Sequence, residues 1–120
     1  MNQVKTYEDL EIWRLGIDLV DNIYDLTQSY PKSEIFGISS QMKRAAISVP
    51  SNIAEGFARY SRKDFHRFLK ISLGSLYELN TQLQVAKRRS FIDQEQFALC
   101  NSKIILLGKM INTILRNYTE

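Results

Sequence analysis

A chain of 120 residues, 44% apolar and 24% charged, has the length of one domain and the composition of an ordinary soluble globule. One cysteine, Cys100, excludes an internal disulfide, and with it a secreted disulfide scaffold or a cysteine-built zinc site. A formal net charge of +3 is too mild to mark a dedicated nucleic-acid binder, so where the charge sits matters more than its sum.

Met1 to Glu11 is polar and mixed in charge, so no signal peptide is expected. The longest strongly apolar stretch, Ile104 to Leu107, lies between Lys103 and Lys109, far short of the roughly 20 residues of a membrane span. A cytoplasmic protein without a membrane contact is the expectation. Residues 1–120 read as one all-α domain, an up-down antiparallel four-helix bundle. Its breaks fall at Ser29 to Ser33, Gly56 to Ser61 and Arg89 to Asp93.

The first segment carries two apolar series. Leu10, Trp13, Ile17, Val20, Tyr24 and Thr27 step by threes and fours and read as the core seam. Ile12, Leu15, Leu19, Ile23 and Leu26 run on a separate series, most of it about 200° around the helix. A helix apolar on opposite sides needs a second surface to cover it. That second series is therefore the expected oligomer interface.

In the second segment, about Ile38 to Phe57, the series Ile38, Met42, Ala45, Val49, Ile53 and Phe57 keeps the helical period. Pro50 falls inside it and removes one backbone donor, which predicts a kink near Ser48 and Val49, with a break into two helices as the lesser possibility. The third segment is the most regular: Phe65, Leu69, Ser72, Leu76, Leu79, Leu83 and Ala86 repeat every seven residues. Ser61 with Asp64 reads as its capping box. From Arg62 to Arg89 that helix would be roughly 40 Å long. Phe97, Cys100, Ile104, Leu107, Ile111, Ile114 and Tyr118 continue the rule in the fourth segment, with Asp93 and Gln96 as a second cap. Gly16 and Gly108, in helix interiors, predict close helix crossings.

Motifs for chemistry are sparse. No glycine-rich phosphate loop, nucleophile elbow or histidine pair is present, so no catalytic residue, metal or cofactor is expected. His66 reads as solvated or phosphate-facing, and Cys100, on the fourth seam, as an inert small hydrophobe. Arg44 and Glu55 are eleven residues apart and share a helix face, which suggests a structural ion pair. Glu55 with Glu78 could in principle be an acid–base pair, but no other component of a hydrolytic site accompanies them.

The basic residues form the remaining pattern. Arg59, Arg62, Lys63, Arg67 and Lys70 crowd the second break and the start of the third helix, beside Tyr60, Phe65 and Phe68. Lys87, Arg88 and Arg89 close that helix, and Lys43 with Arg44 add a pair. Lysines at a helix C-terminus complement its dipole, whereas cations at an N-terminus oppose it. The cluster from 59 to 70 therefore asks for an anion, and its aromatic neighbours suit base stacking. RNA or DNA is the expected partner. The alternative is an adaptor whose basic surface meets an acidic protein, such as a nucleic-acid enzyme.

Several blocks also resemble a known family. Tyr7 to Trp13, Ser40 to Gly56, Ser61 to Phe65 and Leu73 to Leu83 are similar to the bacterial four-helix-bundle family encoded by intervening sequences in large-subunit ribosomal RNA genes. The resemblance covers nearly the whole chain. It implies a ring-like homopentamer and a kinship with the accessory protein of diversity-generating retroelements, which works with a reverse transcriptase and binds nucleic acid. Family motif positions matched here include Arg44, Asn52, Glu55, Gly56, Arg62 and Glu78. The combined expectation is a non-enzymatic homo-oligomer that binds nucleic acid through Arg59, Arg62, Lys63, Arg67, Lys70 and Lys87 to Arg89.

Overall fold

The computed structural model describes residues 3–117; Tyr118, named above in the fourth seam, lies outside them. A 3-10 turn at Tyr7–Asp9 precedes α1 (Glu11–Thr27), a second at Lys32–Glu34 precedes α2 (Ile38–Phe57), and α3 (Arg62–Arg88) and α4 (Gln94–Arg116) follow. Among the described residues there is no strand. Each helix touches its two neighbours in the order α1, α2, α3, α4 and back to α1, while α1 and α3, like α2 and α4, make no contact across the diagonals. The result is a four-helix bundle measuring 45 × 26 × 23 Å.

Local chemistry sets the ends. Thr6 and Asp9 close a capping box on the first turn, and two backbone N–H groups, of Lys5 and Thr6, hold the exposed Asp9 carboxyl below its ordinary range. Asp93 and Gln96 complete the reciprocal box at the start of α4. At α3 only half of the expected box forms: the Ser61 hydroxyl accepts from the Asp64 N–H, while Asp64 turns toward Arg67 at 3.7 Å. α2 runs through Pro50 without breaking in two.

Heptad seams in α3 and α4 became the core as their spacing required: Leu69, Leu76, Leu79, Leu83 and Ile111 are fully buried. In α1 the second series supplies the innermost residues, while Leu10, Trp13 and Val20 of the first pack at the margin of the core and Thr27 is buried. Ile12, Leu19 and Ile23 are inside the bundle, with Leu15 and Leu26 packed against the same core. Ile12, Leu19 and Ile23 are therefore not available as an oligomer interface, whereas Leu15 and Leu26 stay half-buried and line the α1–α4 seam. Trp13, Ile17 and Val20 are only half-buried, and Tyr24 is exposed beneath Lys43. The reason lies at Gly16, which shares the stripe of Ile12 and Ile23 and faces Pro50 so closely that a Cβ would stand 3.2 Å from the proline Cβ. That near approach turns the Gly16 stripe inward. Trp13 instead packs edge-on against Tyr7 of the first turn.

Gly56 belongs to the last turn of α2, not to the loop, and makes the tightest crossing of all: an added Cβ would meet the Phe68 Cβ at 2.7 Å. Gly108 makes only ordinary contact, with Leu73 at 3.9 Å.

Candidate nucleic-acid interface

The α2–α3 connection places Arg59, Tyr60, Arg62 and Lys63 at one end of the bundle. Tyr60, in the connection just after α2, has φ of 54°, a left-handed conformation that usually falls to glycine near a helix C-terminus and costs a tyrosine roughly 1–2 kcal/mol. The residue is 93% exposed. Ser90, after α3, repeats the geometry with a small side chain at φ 61°.

Around this tyrosine the charge is positive. Arg59 approaches Glu55 at 3.9 Å and Arg67 approaches Asp64 at 3.7 Å, both pairs well exposed and therefore weak. Both guanidinium groups also lie near the Phe68 ring, at 5.2 and 4.5 Å from its centroid, which stiffens them in place. Arg62 and Lys63 are exposed in the first turn of α3, where the helix dipole disfavours cations. Phe65 and Phe68 belong mainly to the interior, with their rings turned to Phe57, His66 and the arginines.

Several predicted residues are placed differently. Lys87, Arg88 and Arg89 sit at the far end of α3, about 39 Å from Arg62 by helical rise, and do not join the first cluster. Lys87 instead lies over the Phe97 ring at 4.4 Å. His66 is buried rather than solvated, with Nδ1 donating to the Arg62 carbonyl at 2.7 Å. Arg44 and Glu55 do not pair: eleven residues of helix separate them by about 16 Å, both are exposed, and Glu55 turns to Arg59. Glu78 is exposed as well. Burial raises the Cys100 thiol to about 11 and the neighbouring Tyr30 hydroxyl to about 12, so both stay neutral near pH 7. No group of three or more His, Cys, Asp or Glu among the described residues could hold a metal.

Two features escaped the sequence pattern. α4 is, by length and composition, apolar enough to cross a membrane: its 18-residue window has a mean hydropathy of 1.3, and only 22% of it is buried. Beside it the α1–α4 seam stays open as a string of cavities. The exposed Leu99 and Leu106 were legible as off-seam leucines, but nothing in the spacing shows which helix lies next to them.

Fold and surface together define an all-helical bundle whose α2–α3 end sets cations around an exposed tyrosine. Residues 8–113 match the family described as 23S rRNA-intervening sequence protein, and the chain belongs to that family. It is also similar to the crystal structure of a protein with unknown function from the S23 ribosomal protein family of Bacteroides thetaiotaomicron. The TM-score is 0.82 at 24% identity, over 88% of this chain and 99% of that one, which is a likeness of fold. No match is found among curated proteins.

Proposed function

We propose that this chain is a non-enzymatic, cytoplasmic homo-oligomer whose α2–α3 end binds the backbone of RNA or DNA. The observation that carries the reading is Tyr60: a fully presented ring, held in a strained backbone conformation, between Arg59 and the pair Arg62 and Lys63. Strain of this kind concentrates where function needs it. Cations supply phosphate contact that tolerates any sequence, and an exposed ring supplies stacking that tolerates any base. Several copies of the end on one oligomer would multiply a weak contact through avidity.

A titration of single- and double-stranded RNA and DNA across salt tests it. Affinity should fall linearly in log–log form with salt. Arg59→Glu with Lys63→Glu should flatten that slope, and Tyr60→Ala should weaken single-strand binding about tenfold, the scale of one stacked base. Binding indifferent to these substitutions would remove the site. An absence of binding at low salt would favour an acidic protein as the partner of the cationic end.

A further inference from the structure

The α3–α4 seam holds a cavity of about 440 Å³ that lies outside the cationic end. Its floor is Leu76 and Ile104, both buried, and its lips are Tyr77 from α3 and Ile105 from α4, 59% and 48% exposed. The polar lining is carboxamide, with one cation, Lys109, and no carboxylate among the described residues. An apolar hollow of this size with a few convergent polar groups falls within the roughly 300–1,000 Å³ of small-molecule sites.

The amides are arranged. Asn80 and Asn101 meet across the seam, with Asn80 Nδ2 donating to Asn101 Oδ1. A carboxamide carries one acceptor oxygen and a nitrogen with two donors. A bond between two of them leaves an acceptor on one and donors on the other, whichever way round the amides are set. Held together, they offer a donor beside an acceptor, the pattern with which a carboxamide reads the N6 and N7 edge of adenine.

Gly108 keeps the hollow open. It is buried, yet an added Cβ would meet only the Leu73 side chain, at the ordinary distance of 3.9 Å. Packing within the protomer does not demand a glycine here, and glycine weakens a helix interior. A larger side chain at this position would take up part of the cavity that Gly108 lines.

Order along the seam matches one class of ligand. Asn101, Ile105 and Lys109 follow at steps of four on α4, so they share a face and rise about 6 Å from one to the next. Along that line come a hydrogen-bonding edge, a slot between an aromatic and an aliphatic lip, and a cation. A nucleoside phosphate carries its groups in the same order: base edge, flat ring, sugar, phosphate. Bases outside a stack are held in this way, between aromatic and apolar side chains with an edge hydrogen-bonded.

We propose that the α3–α4 cavity binds an adenine nucleotide. The base lies between Tyr77 and Ile105 with its N6 and N7 edge on the Asn80–Asn101 pair, and the phosphate reaches Lys109. Tyr77 is about 22 Å along α3 from Arg62 by helical rise, so the site is separate from the Tyr60 end and does not depend on nucleic-acid binding there.

Calorimetric titration of the full chain with adenosine monophosphate (AMP), adenosine, cytidine monophosphate (CMP) and inorganic phosphate tests it, with circular dichroism confirming the fold of each variant. AMP should bind at least tenfold more tightly than adenosine or CMP, and inorganic phosphate should not compete with it. Tyr77→Ala, at an exposed position, should weaken AMP about tenfold, the scale of one stacked base. Lys109→Gln should bring AMP down to the affinity of adenosine and leave adenosine itself unchanged. Asn80→Ala with Asn101→Ala should remove the preference for AMP over CMP, and Gly108→Leu should abolish binding. Arg59→Glu with Lys63→Glu should change none of this. A wild type that takes up neither AMP nor adenosine at millimolar concentration would overturn the proposal. So would AMP binding that survives both Tyr77→Ala and Gly108→Leu, or that is lost with the Arg59 and Lys63 reversals, which would put the nucleotide at the Tyr60 end. Equal affinity for AMP and CMP, or displacement of AMP by inorganic phosphate, would overturn the recognition of the base.

Discussion

The α2–α3 seam and the α1–α4 seam are made from the same kinds of helix and close in opposite ways. Between α2 and α3 the contact positions are small. Gly56 admits Phe68, the Ser72 hydroxyl donates to the Val49 carbonyl at 2.8 Å, and Ser75 and Asn52 both donate to the Ser48 hydroxyl. Backbones come close, and large residues beside them, such as Ile53 and Leu76, disappear from the surface. Between α1 and α4 the margins are leucines, bridged by Lys103 donating to Asn22. Side chains of that size hold the helices apart and stay half-exposed. Small residues at a seam thus decide how completely its large neighbours are buried.

The contrast can be broken with substitutions. The largest effect belongs to the closed seam: Ile53→Ala should lower unfolding free energy in urea by about 3 kcal/mol, the transfer loss plus a cavity, while Leu106→Ala on the open seam should change it by less than about 0.5 kcal/mol. Comparable losses at the two sites would show that the α1–α4 seam is closed in solution. Gly56→Ala drives a Cβ to 2.7 Å from that of Phe68 and 3.3 Å from the Phe65 carbonyl, and should cost about 2 kcal/mol in the same assay. Ser72→Ala removes the buried donor to Val49 and should cost about 1 kcal/mol.

Alkaline pH sharpens the comparison on the α4 side. Burial raises Cys100 from 9.0 to about 11 and Tyr30 from 10.0 to about 12, with the Cys100 charge adding to the tyrosine shift. Folding holds both groups protonated, so their contribution is complete below pH 9 and is lost as pH rises toward 12. Melting temperature should therefore decline over that window, and Cys100→Ala should flatten the start of the decline. The smallest effect has the opposite sign: Gly74→Ala, with empty space around it, should stabilise the protomer by up to about 1 kcal/mol in urea measured at low protein concentration.

Much of the fold was legible because it is periodic. The seams of α3 and α4 repeat without a slip, and three short breaks divide the chain, so four helices and most of two core stripes follow from spacing alone. The site was legible only in part. Arg59, Tyr60, Arg62 and Lys63 adjoin in sequence and therefore in space. Lys87 to Arg89 share a helix with them, but a straight helix separates its own ends.

The sequence by itself determined the number of helices, their limits within a few residues, and the cationic character of one connection, since these depend on neighbours along the chain. Tertiary structure decided the rest. In α1 two apolar stripes compete for the interior, and no property of either one alone ranks them. The contact of Gly16 with Pro50, residues of different helices, selects Ile12, Leu19 and Ile23. In the same way only the adjacency of α1 and α4 turns scattered leucines and aspartates into a furrow, because a groove is a property of two surfaces and belongs to neither sequence segment.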